Sequence, residues 1–199
     1  ARIGEGSRGG KARGLAFMNS MLIKYRQYDK HEGVRIMIPR SVVIATEYFD
    51  EFIRMNGLQY VVSQEFSDEE ILSEFVSSYV PPRLQQELKA YIRTVRTPLA
   101  VRSSSKLEDS HYQPFAGIYS TYMIPFTKNE DQMLRLLLRA VKSVYASVYF
   151  AASRAYIQTS QNLISEEKMA VIIQEVCGTE QDGLYFPTCS GVARSINYY

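Results

Sequence analysis

Two stretches of this chain carry residues suited to holding phosphate. In Leu99-Ala100-Val101-Arg102-Ser103-Ser104-Ser105 a short apolar run after Pro98 predicts a buried strand that delivers Arg102 at its end. A planar guanidinium can donate to two phosphate oxygens at once, and three serines in a following loop would add hydroxyls and successive backbone N–H groups. Further on, Gly117 marks a place where backbone can approach a ligand closely, followed by hydroxyls at Ser120 and Thr121. Taken alone, an arginine beside serines is more commonly a salt-bridged structural residue. The second stretch alters that balance. Residues 4–15, GEGSRGGKARGL, form a glycine-rich turn that hands Lys11 to the start of a helix, whose unpaired N–H groups and positive dipole end favour an anion. It is not a Walker A loop, because Ala12 stands where that loop needs Ser or Thr.

The elements that must position these residues can be read in order. A helix is predicted over residues 11–27, with Leu15, Met18, Leu22 and Tyr25 turned to the core and Lys24 and Arg26 in its last turn. The β-branched run at 41–45 predicts a strand, with Thr46 as N-cap of a short helix ending near Asn56-Gly57. Ser67 followed by Glu70 is a capping-box pattern for a helix reaching residue 79, and Pro82 suits the start of a helix over about 83–95. A strand is expected within 119–126, then a long helical tract capped by Asn129. There Tyr145, Tyr149, Ala152 and Tyr156 fall on one helix face, and core packing is the better reading than base stacking. Residues 160–165 read as a loop, 169–176 as a central strand, and 184–195 as strand-rich structure around a turn.

Composition narrows the class. With 199 residues, 46% hydrophobic and 22% charged, the chain is long enough for one sizeable core or two small lobes. No apolar run approaches the ~18 residues a bilayer span requires, and no secretory signal is present, so the expectation is a cytoplasmic protein with no membrane partner. Cys177 and Cys189 lack C-x-x-C pairing and are expected as core or near-core thiols; with only His31 and His111 beside them, a structural zinc site is not expected. Both histidines read as exposed loop residues. Residues 1–40 hold nine Lys or Arg against three acids, a formal +6, so within a chain of net +2 the remainder is −4. A basic segment suits polyphosphate or nucleic acid, but the modest net charge argues against a nucleic-acid module.

Six segments occur together in one order: GGKARGLA (9–16), IPRSVVIATEYFDEF (38–52), LAVRSSSKLEDS (99–110), FAGIYST (115–121), MAVIIQEVCG (169–178) and SGVARS (190–195). In wording and order they resemble the nucleotide-binding domain of phosphoenolpyruvate synthase and pyruvate phosphate dikinase, over nearly the whole chain. The resemblance implies an α+β (α/β), ATP-grasp-like nucleotide-binding domain in two lobes, with the first part at residues 1–105, the second at 106–199, and a joint near residues 105–110. It also implies a C-terminally incomplete domain, and the start at Ala1 without methionine reads as an excised segment.

The implied roles map onto single residues. Lys11 and Arg102 would bind the ATP phosphates and act in catalysis. Gly117 and Thr121 would cover the phosphates as a lid. Gln174, Glu175 and Val176 would lie along the adenine, the last two through backbone N–H and C=O groups; read without the resemblance, these three are an ordinary core strand. The implied chemistry is ATP phosphoryl transfer with Mg²⁺ to a histidine on a separate domain, then to pyruvate or another acceptor on a third. The parent would be the active phosphotransferase and this fragment inactive alone. No metal ligand is assigned, Glu108 and Asp109 included, since the family's acidic ligands come later than this chain extends. A non-catalytic nucleotide-sensing domain of a multidomain regulator remains open beside this reading.

Overall fold

A computed structural model of the chain describes residues 1–26, 32–62, 64, 66–105, 119–159, 167–193 and 196. The elements run β1 (Arg2–Ile3), α1 (Gly9–Lys24), β2 (Ser41–Ile44), α2 (Thr46–Met55), a 3₁₀ turn (Leu58–Val62), α3 (Asp68–Ser77), α4 (Pro82–Ile92), β3 (Leu99–Ser105), β4 (Thr121–Ile124), α5 (Glu130–Ala146), a 3₁₀ turn (Ser147–Tyr149), α6 (Ala151–Thr159), β5 (Met169–Glu175), β6 (Thr179–Gln181) and β7 (Leu184–Phe186). The first five strands make one sheet in the order β1-β2-β5-β3-β4, parallel between β1 and β2 and antiparallel elsewhere. Strands from both sides of residue 105 therefore share a sheet, with β5 at its centre.

Register decides what each face offers, because side chains alternate along a strand. Ile3, Ile44 and Val171 lie side by side on one face, as do Val42, Ile173 and Val101. These residues belong to the main core, under α2, α3, α4 and α5. The opposite face carries the row Arg2, Val43, Ile172, Arg102 and Thr121, which crosses all five strands. Only a small cluster covers part of it: Ala12 and Leu15 of α1 on Val43, Ala170 and Ile172.

Local signals explain most element boundaries. Ser67 and Glu70 form the reciprocal capping box of α3, and Asn129 accepts from the Gln132 N–H at the start of α5. Thr46 departs from expectation. Ala45 is the N-cap of α2, and the Thr46 hydroxyl accepts from the Ser7 N–H at 3.1 Å, pinning the glycine-rich turn to the β2–α2 junction. Gly4, at φ +80°, has no room for a side chain there, since a Cβ would come within 2.6 Å of the Tyr48 ring.

Four further expectations are corrected. The three serines after Arg102 are not in a loop: β3 continues through Ser105, and Ser103, Ser104 and Ser105 pair with Val171, Ala170 and Met169 and are fully buried. Helix α1 does not bury a Leu15–Tyr25 stripe. Its buried residues are Gly9, Gly10 and Ala12, while Met18 and Tyr25 are 47% and 51% exposed, because only its first turns lie on the sheet. The tyrosine stripe is broken between α5 and α6; Tyr145 and Tyr149 are buried in the core, and Ala152 is exposed. Cys177 and Cys189 are exposed, because both follow the last strand of the main sheet. The final strands are the short hairpin β6–β7, turned at Asp182-Gly183 with positive φ at both residues. His31, His111, Glu108, Asp109 and the loop at 160–165 lie outside the described residues.

Candidate functional site

The open face of the sheet brings several of the singled-out residues together. Arg102 on β3 is directly opposite Thr121 on β4, so the two side chains leave the sheet on the same side, and Thr121 is exposed. On the other flank, Gln174 of β5 pairs with Ala100, one step along the same face, and its Oε1 accepts from Arg102 Nη1 at 3.3 Å. Among the described residues no carboxylate is paired with Arg102.

Lys11 reaches the site from the first turn of α1. Its Nζ donates to Ser103 Oγ at 3.3 Å, next in sequence to Arg102 but, by strand alternation, a side chain on the face shared with Val101 and Val171. The adjoining serine fixes the helix itself: Ser104 Oγ accepts from the Ala12 N–H at 3.1 Å and donates to the Arg8 carbonyl at 2.9 Å. Gly9 lies against the same strand at φ +69°, and a Cβ added there would stand 1.7 Å from the Ser104 carbonyl oxygen. Glycine is required at that position by both contact and conformation.

Glu175 and Val176 are placed differently from Gln174. Their backbone N–H groups donate to the carbonyls of Arg40 and Pro98, each at 2.9 Å, and the Val176 carbonyl accepts from Tyr185 Oη at 3.3 Å. The Glu175 carboxylate is 3.4 Å from the Arg40 guanidinium. In this conformation both N–H groups are engaged within the chain. Gly117 lies outside the described residues. Among the described residues no group of three or more His, Cys, Asp or Glu side chains converges on a point that could hold a metal ion. One buried acid escaped the sequence reading: Glu167, just before β5, accepts from Tyr119 Oη at 3.3 Å. A glutamate in the charged run Glu166-Glu167-Lys168 ahead of an apolar strand reads as solvated and gives no periodic signal.

A cavity of about 720 Å³ opens beside this site, between α1 and the β1–β2 edge, lined by Arg2, Arg8, Leu15, Asn19 and Arg40 among others. It does not include Lys11, Arg102 or Gln174. The chemistry points to the open face of the sheet, where the Arg102 guanidinium meets the Gln174 amide and lies opposite Thr121.

Comparison with known proteins assigns this mixed α/β domain to a nucleotide-binding class. The family described as pyruvate phosphate dikinase, AMP/ATP-binding domain, matches residues 5–199, and the chain belongs to that family. It is 31% identical over 157 residues to the uncharacterized phosphotransferase YvkC of Bacillus subtilis (strain 168), covering 75% of this chain and 17% of that protein. It is 28% identical over 200 residues to the phosphoenolpyruvate synthase of Aeropyrum pernix, covering 89% of this chain and 22% of that protein. A probable phosphoenolpyruvate synthase of Staphylothermus marinus is 24% identical over 174 residues, covering 76% and 20%. The chain thus spans about a fifth of the length of these relatives.

Proposed function

We propose that this chain is the ATP-binding portion of a phosphoenolpyruvate synthase-like phosphotransferase, with the triphosphate held by Arg102 on the open sheet face and by Lys11 from the adjoining helix turn. The observation that carries the reading is the Arg102 guanidinium, held on that face by the neutral amide of Gln174 and paired with no carboxylate among the described residues. Such a group keeps its charge and spare donors for phosphate. Lys11 adds a second cation within one residue of it along β3. Together they would offset the negative charge of the phosphates and orient the chain of oxygens, which is where the protein's share of phosphoryl-transfer catalysis lies.

In this reading Thr121 and Gly117 close over the phosphates, and Gln174 turns toward the base with Glu175 and Val176 beyond it. The segments 1–105 and 106–199 then contribute unlike halves of one site, phosphate cations from the first and the base-side strand from the second. The phosphoryl group passes to a histidine on another domain of the parent and then to pyruvate or another acceptor, in the cytoplasm. Mg²⁺ belongs to this chemistry, but the described residues do not supply a cluster to hold it.

The test is calorimetric titration of ATP with Mg²⁺ into the protein and into Arg102→Ala. Loss of the charged hydrogen bonds should weaken binding by roughly 1.5–3 kcal/mol with unchanged melting. Equal affinity in the two proteins would remove Arg102 from the site.

A further inference from the structure

We propose that Ser104 is the positioning residue of this site, the group that sets Lys11 at its distance from Arg102. The inference rests on the nucleotide reading above and goes one layer behind it. Lys11 is bracketed by Arg8 and Ala12, and the Ser104 hydroxyl holds both brackets, donating to the Arg8 carbonyl at 2.9 Å and accepting from the Ala12 N–H at 3.1 Å. A carbonyl at one position and an N–H four residues on are the two groups that close a helical turn. One fully buried hydroxyl therefore ties the whole turn carrying the lysine to strand β3.

The strand end of this tie is as well defined as the helix end. Ser104 pairs with Ala170 in the sheet, and Arg102 lies two residues along the same strand and face, about 6.7 Å away by strand geometry. Gly9 presses on the Ser104 carbonyl with no space between, so the turn cannot slide along the strand. Consecutive serines take separate roles, in that Ser103 meets the lysine ammonium while Ser104 fixes the backbone from which that lysine springs. Ser104 touches no phosphate in this arrangement and acts through Lys11.

Two measurements decide the matter. The first is titration of ATP with Mg²⁺ into Ser104→Ala, Lys11→Ala, Arg102→Ala and the two double variants containing Ser104→Ala. Ser104→Ala should weaken ATP about tenfold, the loss expected from one buried hydrogen-bonded group. In the Lys11→Ala background the same change should cost less than about twofold, and in the Arg102→Ala background the full loss should return. The second is hydrogen exchange without nucleotide. The Ala12 amide should exchange faster in Ser104→Ala while the β5 amides keep their protection.

An undiminished ATP affinity, an equal loss in the Lys11→Ala background, or an unchanged Ala12 amide would each overturn the proposal. If Lys11→Ala and Arg102→Ala both bind ATP like the parent, it is the nucleotide reading that fails, and the Ala12 amide alone decides whether Ser104 anchors the turn. Should Ser104→Ala not fold, Ser104→Cys retains a weaker hydrogen-bonding group in a slightly larger side chain, and an intermediate loss with the same dependence on Lys11 is expected.

Discussion

Arg102 and Gln174 meet across the central strand β5 and its neighbour β3, Nη1 to Oε1 at 3.3 Å, on the face that most of the helices leave uncovered. The partner is an amide, which orients the guanidinium without cancelling its charge. At that length the bond is at the weak end of the range and yields readily to a stronger acceptor.

Gln174→Glu tests this directly. A carboxylate in the same place would make a charge-assisted pair with Arg102 and compete with phosphate for its donors. ATP affinity should fall by roughly 1.5–3 kcal/mol while the melting temperature holds or rises. Titration and calorimetric melting on one preparation check both halves. A variant that binds ATP as well as the parent would mean that Arg102 does not serve the phosphates.

Tyr149 gives the opposite pattern. Its ring is 4% exposed, lies near-parallel to Phe49 at 6.4 Å between centroids, and is tilted against Phe75 at 5.5 Å. Tyr149→Ala should cost about 3–5 kcal/mol in urea unfolding, the range for emptying a buried aromatic site. ATP affinity per folded molecule should not change. Lost binding at unchanged stability would move this tyrosine from the core to the site.

Alkaline stability follows from the same core. Burial pushes the Tyr91 hydroxyl up to about 12 from an ordinary 10.0, and pushes Tyr145 and Tyr149 further in the same direction. The folded state therefore keeps phenolic protons that the unfolded chain gives up, so it binds more protons above the ordinary value, and stability must fall as pH rises past it. Urea midpoints measured between about pH 8 and pH 11 should decline, and less steeply for Tyr145→Phe. Tyr145 Oη is buried without a hydrogen-bond partner in the described structure. Its removal should accordingly be neutral, or stabilise by up to about 1 kcal/mol, at neutral pH. A clear loss of stability in Tyr145→Phe would reveal a partner for that hydroxyl.

Elements with a strong local signal were legible in the sequence. The Ser67–Glu70 box, the Asn129 cap, Pro82 at the start of α4 and the apolar run of β5 all announce themselves within a few residues. What failed were positions settled by distant partners. Serine favours turns through local hydrogen bonds, which suggested a loop after Arg102, yet β5 offers a ladder through Ser105, and Arg8 and Ala12 use the Ser104 hydroxyl. Thr46 looks like a cap until Ser7 arrives from 39 residues away. The α1 stripe has helical spacing, but spacing does not say where the sheet ends, and beyond Ala16 little of it remains beneath the helix. Within the site, residue types single out Lys11 and Arg102 as candidate cations for phosphate, whereas the Arg102–Gln174 contact depends on the pairing of β3 with β5, a relation between residues 72 apart.

Helix α1 is a lever with its fulcrum at Lys11. Its sixteen residues extend about 24 Å, and its buried residues all fall within the first four. A swing of about 10° at the anchored turn would carry the Lys24 end, about 20 Å from Lys11, through about 3 Å. The exposed apolar side chains of the far arm, Phe17, Met18 and Ile23, would travel with such a tilt, farther the nearer they lie to Lys24.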